Sequence, residues 1–164
     1  MLNESELLAY LQSHGIEYQY VSHPPVYTCD QAEQLRPDLP GVSTKNLFLR
    51  DEKKRFYLVM TACEKRLDLK GLGRALGAPK LQFGAENYLL EMLGVTPGAV
   101  TVLGLVNDPD CRVQLVVDED VWLGEYFMCH PLVNTATLVL RRADLLRFFE
   151  LSGHSPQVCA APAR

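Results

Sequence analysis

No Cys-x-x-Cys pair, no metal-binding histidine spacing, no apolar run of membrane-span length and no excess of positive charge occurs in these 164 residues. Each absence closes a class of function. The five cysteines, at positions 29, 63, 111, 129 and 159, are scattered and odd in number. That argues against a disulfide framework and a cysteine-rich zinc site, and predicts reduced thiols and no protein-held metal or other cofactor. A membrane span needs about 20 apolar residues, and the first residues carry neither a basic head nor an apolar signal core. The expectation is a soluble, cytoplasmic protein without a membrane partner. Formal net charge is −4, so nucleic acid is not gathered by total charge, and any such contact must come from a local patch. The Gly-x-Ser-x-Gly elbow, the Walker loop and the dinucleotide fingerprint are missing too. No carboxylate pair stands at a spacing suited to acid–base work.

What is present reads as one domain of ordinary globular composition, 48% apolar and 22% charged. Asn3 with Glu6 forms a capping-box pattern opening a helix that Gly15 ends, and Thr28 with Gln31 repeats it before Pro37. A loop rich in Pro and Gly over 36–43 follows. Strands are predicted over 18–21, 46–50, 55–61, 100–106, 112–117, 126–128 and 135–140, with 51–54 as a hairpin turn. Helices are predicted over 67–76, 85–93 and 143–151. Strands and helices interleave too irregularly for a doubly wound parallel sheet. The pattern predicts an α+β domain over 1–154, with a mixed, largely antiparallel sheet and packed helices, and a flexible tail over 155–164.

Two runs carry chemistry. The first is Thr44-Lys45-Asn46-Leu47-Phe48-Leu49-Arg50-Asp51, where a lysine opens an apolar strand. An arbitrary lysine is a solvated one. If the strand begins at Asn46, however, Lys45 sits in the entering loop and both side chains line one pocket mouth. Lys45 can then hold a phosphate or an ester oxyanion as a point charge. The second run is Cys129-His130-Pro131-Leu132-Val133-Asn134-Thr135-Ala136-Thr137. A lone histidine in an apolar strand is more often a hydrogen-bonded core residue than a catalyst. Strand alternation sends Cys129 and His130 to opposite faces, so they form no nucleophilic dyad and Cys129 reads as packing. Pro131 ends the strand or marks its edge. A third feature is basic: Arg66, Lys70 and Arg74 share a face if 67–76 is helical, flanked by Lys65 and Lys80. It is equally an ordinary solvated face or an RNA contact. The turn Lys53-Lys54-Arg55 is a weaker candidate.

The Lys45 and His130 runs together resemble the YbaK-type aminoacyl-tRNA editing domains. The likeness is greatest to the freestanding Ala-tRNA(Pro) deacylases of the ProXp-ala branch. It extends over most of the chain, through Leu81-Gln82-Phe83-Gly84-Ala85-Glu86, Leu93-Gly94-Val95-Thr96-Pro97-Gly98-Ala99-Val100, Leu105-Val106-Asn107-Asp108 and Asp144-Leu145-Leu146-Arg147-Phe148. The resemblance implies that Lys45 contacts the aminoacylated 3′ end of tRNA, that Asn46 helps hold the amino acid, and that His130 belongs to the pocket, as proton carrier or as wall. It implies further substrate contacts from Asn134 and from the loop bearing Gly98 and Thr101. Val102 stands where the family has a proline, which bears on pocket size. Arg66, Lys70 and Arg74 become candidate acceptor-stem contacts. The expected function is hydrolysis of alanine mischarged onto proline tRNA, without cofactor, assisted by the terminal ribose hydroxyl of the substrate. The expected partners are the acceptor end of tRNA(Pro) and, as a second candidate, prolyl-tRNA synthetase; DNA is excluded and the protein is read as a monomer. The alternatives are a deacylase for serine, threonine or cysteine, and a non-catalytic module that binds tRNA or a synthetase.

Overall fold

Strand β3 (Phe56–Ala62) is buried along its whole length, so both of its faces must be covered, and the fold is built around that demand. A computed structural model describes residues 1–35 and 41–164. In chain order the elements are α1 (Glu4–Ser13), β1 (Gln19–Ser22), α2 (Cys29–Leu35), β2 (Thr44–Arg50), β3, α3 (Leu69–Leu76), β4 (Gln82–Phe83) and α4 (Glu86–Leu93). Then come two 3₁₀ turns (Pro97–Ala99 and Val102–Asn107), β5 (Val113–Asp118), α5 (Glu119–Trp122), β6 (Tyr126–Cys129), β7 (Ala136–Arg141), α6 (Arg142–Ser152) and β8 (Gln157–Cys159).

The strands form a five-stranded sheet, ordered β4-β2-β3-β5-β8, and a three-stranded one, β1-β7-β6. Four pairings are antiparallel; β3 with β5 and β5 with β8 are parallel. The α+β class with a mixed, largely antiparallel arrangement is therefore observed. Alternation along β2 and β3 divides the apolar side chains between two layers. Phe48, Phe56, Leu58 and Met60 join Leu7 and Leu11 of α1, Leu89 and Leu93 of α4, and Phe148 and Phe149 of α6. Leu49, Tyr57 and Val59 face the other way, against Leu67 and Leu72.

Local chemistry sets the element ends. The side chain of Asn3 accepts from the Glu6 amide at 2.9 Å while that of Glu6 accepts from the Asn3 amide, completing the capping box. In the hairpin, Asp51 accepts from the Arg55 amide and guanidinium at 2.8 and 2.7 Å, and from the Tyr57 hydroxyl at 3.1 Å. Burial would raise the Asp51 pKa, but these hydrogen bonds outweigh it and hold the carboxyl below its ordinary value. Arg55 is thus tied down and is no free cation for RNA.

Four expectations are corrected. Residues 100–106 form no strand: the second 3₁₀ turn begins at Val102, with Thr101 as its cap. Apolar runs of this length do not distinguish a strand from a buried turn. The segment after His154 is no flexible tail, since β8 pairs with β5 and Ala161 is buried. Asp118 anchors it, accepting from the Ala161 amide at 3.4 Å, from Thr61 Oγ1 at 2.7 Å and from Lys65 Nζ at 2.7 Å. Helix α3 begins at Leu69, so Arg66 lies ahead of it and shares no helical face with Lys70 and Arg74. Finally, not all thiols are reduced: Cys29 and Cys63 form a disulfide, with Cα atoms 5.9 Å apart, while Cys111, Cys129 and Cys159 are free. A separation of 34 residues leaves no local spacing signal; only the packing of α2 beside the end of β3 brings the pair together. The loop expected over 36–43 lies mostly in residues 36–40, outside the described residues.

Closing a loop of that size removes unfolded-chain entropy worth about 3 to 4 kcal/mol. Reduction with a dithiol should therefore lower the denaturant midpoint clearly, and Cys63→Ala should show the lower midpoint with no further response to reductant. Equal midpoints with and without reductant would show that the bridge does not constrain the chain.

Candidate active site

The two sheets meet where β2 begins. The Val42 amide donates to the Tyr126 carbonyl at 2.9 Å, Val42 and Phe127 form a parallel bridge, and Thr44 Oγ1 reaches the Met128 carbonyl at 3.5 Å. Carried forward, that register sets Thr44 beside Cys129 and Lys45 beside His130. A cleft of about 150 Å³ opens at this seam. The first motif (Thr44, Lys45, Asn46) and the second (Met128, Cys129, His130) supply two walls, Pro97, Gly98 and Val100 a third, and Val26 to Cys29 with Ala32, Cys63 and Thr137 the remainder. The volume is comparable to a cavity that accepts benzene, so it admits a small side chain, and any discrimination among small amino acids turns on which walls stand close rather than on total volume.

Strand β2 starts at Thr44, one residue before Lys45, so the expectation that Lys45 lies in an entering loop is corrected. Lys45 and Asn46 point to opposite faces of the strand, and both still reach the cleft because it lies across the strand's end. Lys45 is half-buried, and none of the ion pairs among the described residues involves it. Burial lowers its pKa below the ordinary 10.5; Glu64 pulls the other way and Arg66 adds to the lowering. A partly desolvated ammonium at a cleft mouth, with no ion pair among the described residues, is a candidate anion contact.

Asn46 does a different job with its oxygen. Its Oδ1 accepts from the Val102 amide at 3.0 Å, fixing the loop that carries Gly98 and Val100 against the cleft. Among the described residues, its amide nitrogen makes no hydrogen bond. Gly98 lines the cleft, and a Cβ there would stand a tight 3.2 Å from both Asn134 Nδ2 and the Tyr27 ring. Thr101 is corrected as a substrate contact: it is buried and its hydroxyl accepts from the Leu103 amide at 3.2 Å. Val102 is fully buried in the core, and Val100 is the valine on the cleft wall. Asn134 stands one step back. Its Nδ2 donates to the Val26 carbonyl at 3.1 Å while its own carbonyl accepts from the Val26 amide at 3.3 Å, which braces the Val26 wall.

His130 Nδ1 lies 3.1 Å from the Ala136 carbonyl. A carbonyl only accepts, so Nδ1 carries the proton and, in the neutral ring, Nε2 is the acceptor. Pro131 ends β6 directly afterwards, and Leu132 takes φ +70°, an uncommon conformation for a bulky residue beside the site. Cys129 is completely buried, and desolvation pushes its thiol up to about 12, so it is not a nucleophile at neutral pH. The sequence reading missed His23, whose ring centroid is 6.4 Å from that of His130 and whose Nε2 sits 2.8 Å from the hydroxyl of the cleft residue Thr137. It missed the Cys29–Cys63 wall for the reason already given. A Ser152, His154 and Asp108 cluster has the composition of a hydrolytic triad. However, the Ser152 hydroxyl donates to the Phe149 carbonyl at 3.0 Å and His154 and Asp108 are buried, so it clamps the end of α6 to the turn before β5.

The basic candidates separate. Arg66 lies beside Lys45 in a neighbouring groove, whereas Lys70 and Arg74 line a different concavity with Lys80. Lys65 is engaged by Asp118 and Asp120.

Comparison with known proteins agrees with this geometry. The chain is 41% identical to the prolyl-tRNA synthetase associated domain-containing protein 1 of Danio rerio, over 93% of this chain and 84% of that protein. It is 35% identical to the prolyl-tRNA editing protein ProX of Acetoanaerobium sticklandii, over 91% of this chain and 92% of the relative. A solved structure of a candidate trans-editing enzyme for prolyl tRNA synthetase superposes with a TM-score of 0.73 at 20% identity, covering 100% of this chain and 99% of the other. It shares the fold. The sequence profile of the aminoacyl-tRNA editing domain matches residues 23–148, and the chain belongs to that family.

Proposed function

We propose that this protein hydrolyses the ester of alanine mischarged onto proline tRNA. The observation that carries the reading is the half-buried Lys45, which enters no ion pair among the described residues, at the mouth of a cleft of about 150 Å³. A synthetase site shaped for proline rejects a smaller amino acid weakly, because each missing methylene is worth only about 1 to 3 kcal/mol. A second, smaller site that admits alanine and excludes the proline ring supplies the missing discrimination.

In the reaction, water attacks the ester carbonyl carbon, and the carbonyl oxygen takes the negative charge. Collapse of that tetrahedral intermediate breaks the bond to the ribose oxygen, which takes up the proton given up by the water, and releases alanine and an intact tRNA end. Lys45 holds the charged end of the substrate, as oxyanion or as terminal phosphate. The Asn46 amide nitrogen and the Gly98 loop orient the alanyl group. No carboxylate is among the described residues lining the cleft. The terminal ribose hydroxyl beside the ester fills the role of a protein base by orienting the water. His130 shapes the wall that sets the size limit. Prolyl-tRNA synthetase is a second partner on this reading, since it produces the mischarged substrate.

Lys45→Ala should reduce deacylation of Ala-tRNA(Pro) by about two to three orders of magnitude. It should leave the circular dichroism spectrum and thermal midpoint near those of the unmodified protein. Unchanged turnover would remove the assignment. Cys129→Ala should keep most activity while costing on the order of 1 kcal/mol of stability. A folded but inactive Cys129→Ala protein, or an acyl-thioester seen by mass spectrometry, would establish a cysteine nucleophile instead.

A further inference from the structure

A second concavity, of about 370 Å³, is lined by Lys45, Leu47, Arg66, Leu67, Leu69, Phe83 and Arg164. Lys45 lines both spaces, so the groove and the cleft adjoin at that side chain. Its floor is apolar, from Leu47, Leu67 and Leu69. Its rim carries three cations, Lys45, Arg66 and Arg164, none of which enters an ion pair among the described residues. Its far end is Phe83, 65% exposed on the two-residue edge strand β4 and a member of neither core layer. Phe83 pairs with Leu49, and alternation places Lys45, Leu47 and Leu49 on one face of β2, so the ring and the lysine share that face. Four residues of strand separate them, about 13 Å.

We infer that this groove binds the unpaired nucleotides preceding the terminal adenosine of tRNA, with Phe83 as a stacking platform for a base and Arg66 and Arg164 on the phosphates. The inference rests on the deacylase reading for the direction of the strand: the ester-bearing end enters the cleft past Lys45, so the nucleotides before it must lie where the cleft opens. Charge and shape select the occupant. An exposed aromatic ring beside unpaired cations on an apolar floor is the arrangement that holds single-stranded nucleic acid, whereas a paired helix offers phosphates but no free base face. Arg66 is brought here by the backbone rather than by a helix. The Arg164 amide donates to the Arg66 carbonyl at 2.8 Å, and Leu67 bridges to Ala163, so the closing segment of the chain forms one bank.

The test is fluorescence anisotropy with a labelled single-stranded RNA ending in CCA, and with the same RNA made abasic at the two cytidines. The unmodified protein should bind the intact RNA roughly tenfold more tightly or better. Phe83→Ala should abolish that preference and Phe83→Trp should preserve it. Arg66→Ala and Arg164→Ala should each flatten the salt dependence by about 0.7 in log–log slope. Hydrolysis of Ala-tRNA(Pro) is followed in parallel, where Phe83→Ala should raise KM. If the unmodified protein cleaves the ester while Phe83→Ala changes neither RNA affinity nor KM, the groove assignment is wrong. If RNA binds with the Phe83 dependence but no ester is cleaved, the groove stands and the deacylase reading fails. Equal affinity of the unmodified protein for intact and abasic RNA also overturns the stacking role.

Discussion

The parallel contact between the residues leading into β2 and the start of β6 is the constraint on which the site depends. Two sheets that share no continuous ladder are joined there by the Val42 to Tyr126 hydrogen bond and the Val42–Phe127 bridge. Without that seam, the Lys45 and His130 runs, separated by more than half the chain, would have no common wall. The seam is held from both sides. Behind β2 lies the fully buried β3, and behind β6 lies β7, whose Leu138 and Leu140 belong to the core. Pro131 then ends strand pairing at the point where the cleft must open.

The chemistry follows from what the seam leaves unsatisfied. Most charged groups of the interior have partners: Asp51 has Arg55, Asp118 has Lys65, and Asp108 has His154. Lys45 has none among the described residues, although burial opposes its charge. On the proposed reading that group is kept for an anionic ligand. The cleft behind it is small, and the groove beside it is cationic, apolar and open-ended. Together they fit the proposed substrate, a long polyanion with a small group at its tip. An aminoacyl ester is already activated, so position and charge stabilisation can serve where no nucleophile is present.

Much of this was legible in the sequence, because the governing rules are local. The capping box at Asn3, the 51–54 turn and the extents of α4 and α6 to within a residue follow from neighbours within a few residues. The two motifs named the cleft before the fold was known. What was not legible depends on distant packing. Val102 to Asn107 has the composition of a strand, but the Asn46 side chain takes the Val102 amide and the chain coils instead. Thr101 and Asn134 were grouped with the substrate contacts, yet one caps a turn and the other braces the Val26 wall. Arg66, Lys70 and Arg74 were joined by helical spacing, and a helix start three residues later than Arg66 parts them. The disulfide, the pairing of β8 and the approach of His23 to His130 join residues far apart in sequence, where no spacing rule applies.

The central claim is that a small cleft behind Lys45 selects the amino acid by size. The most direct measurement compares hydrolysis of proline tRNA charged with alanine, serine, cysteine, threonine or proline by the unmodified protein. The account predicts rapid loss of alanine and survival of the proline ester, with the larger residues slower than alanine. Cleavage of the proline ester as fast as the alanine ester would contradict it.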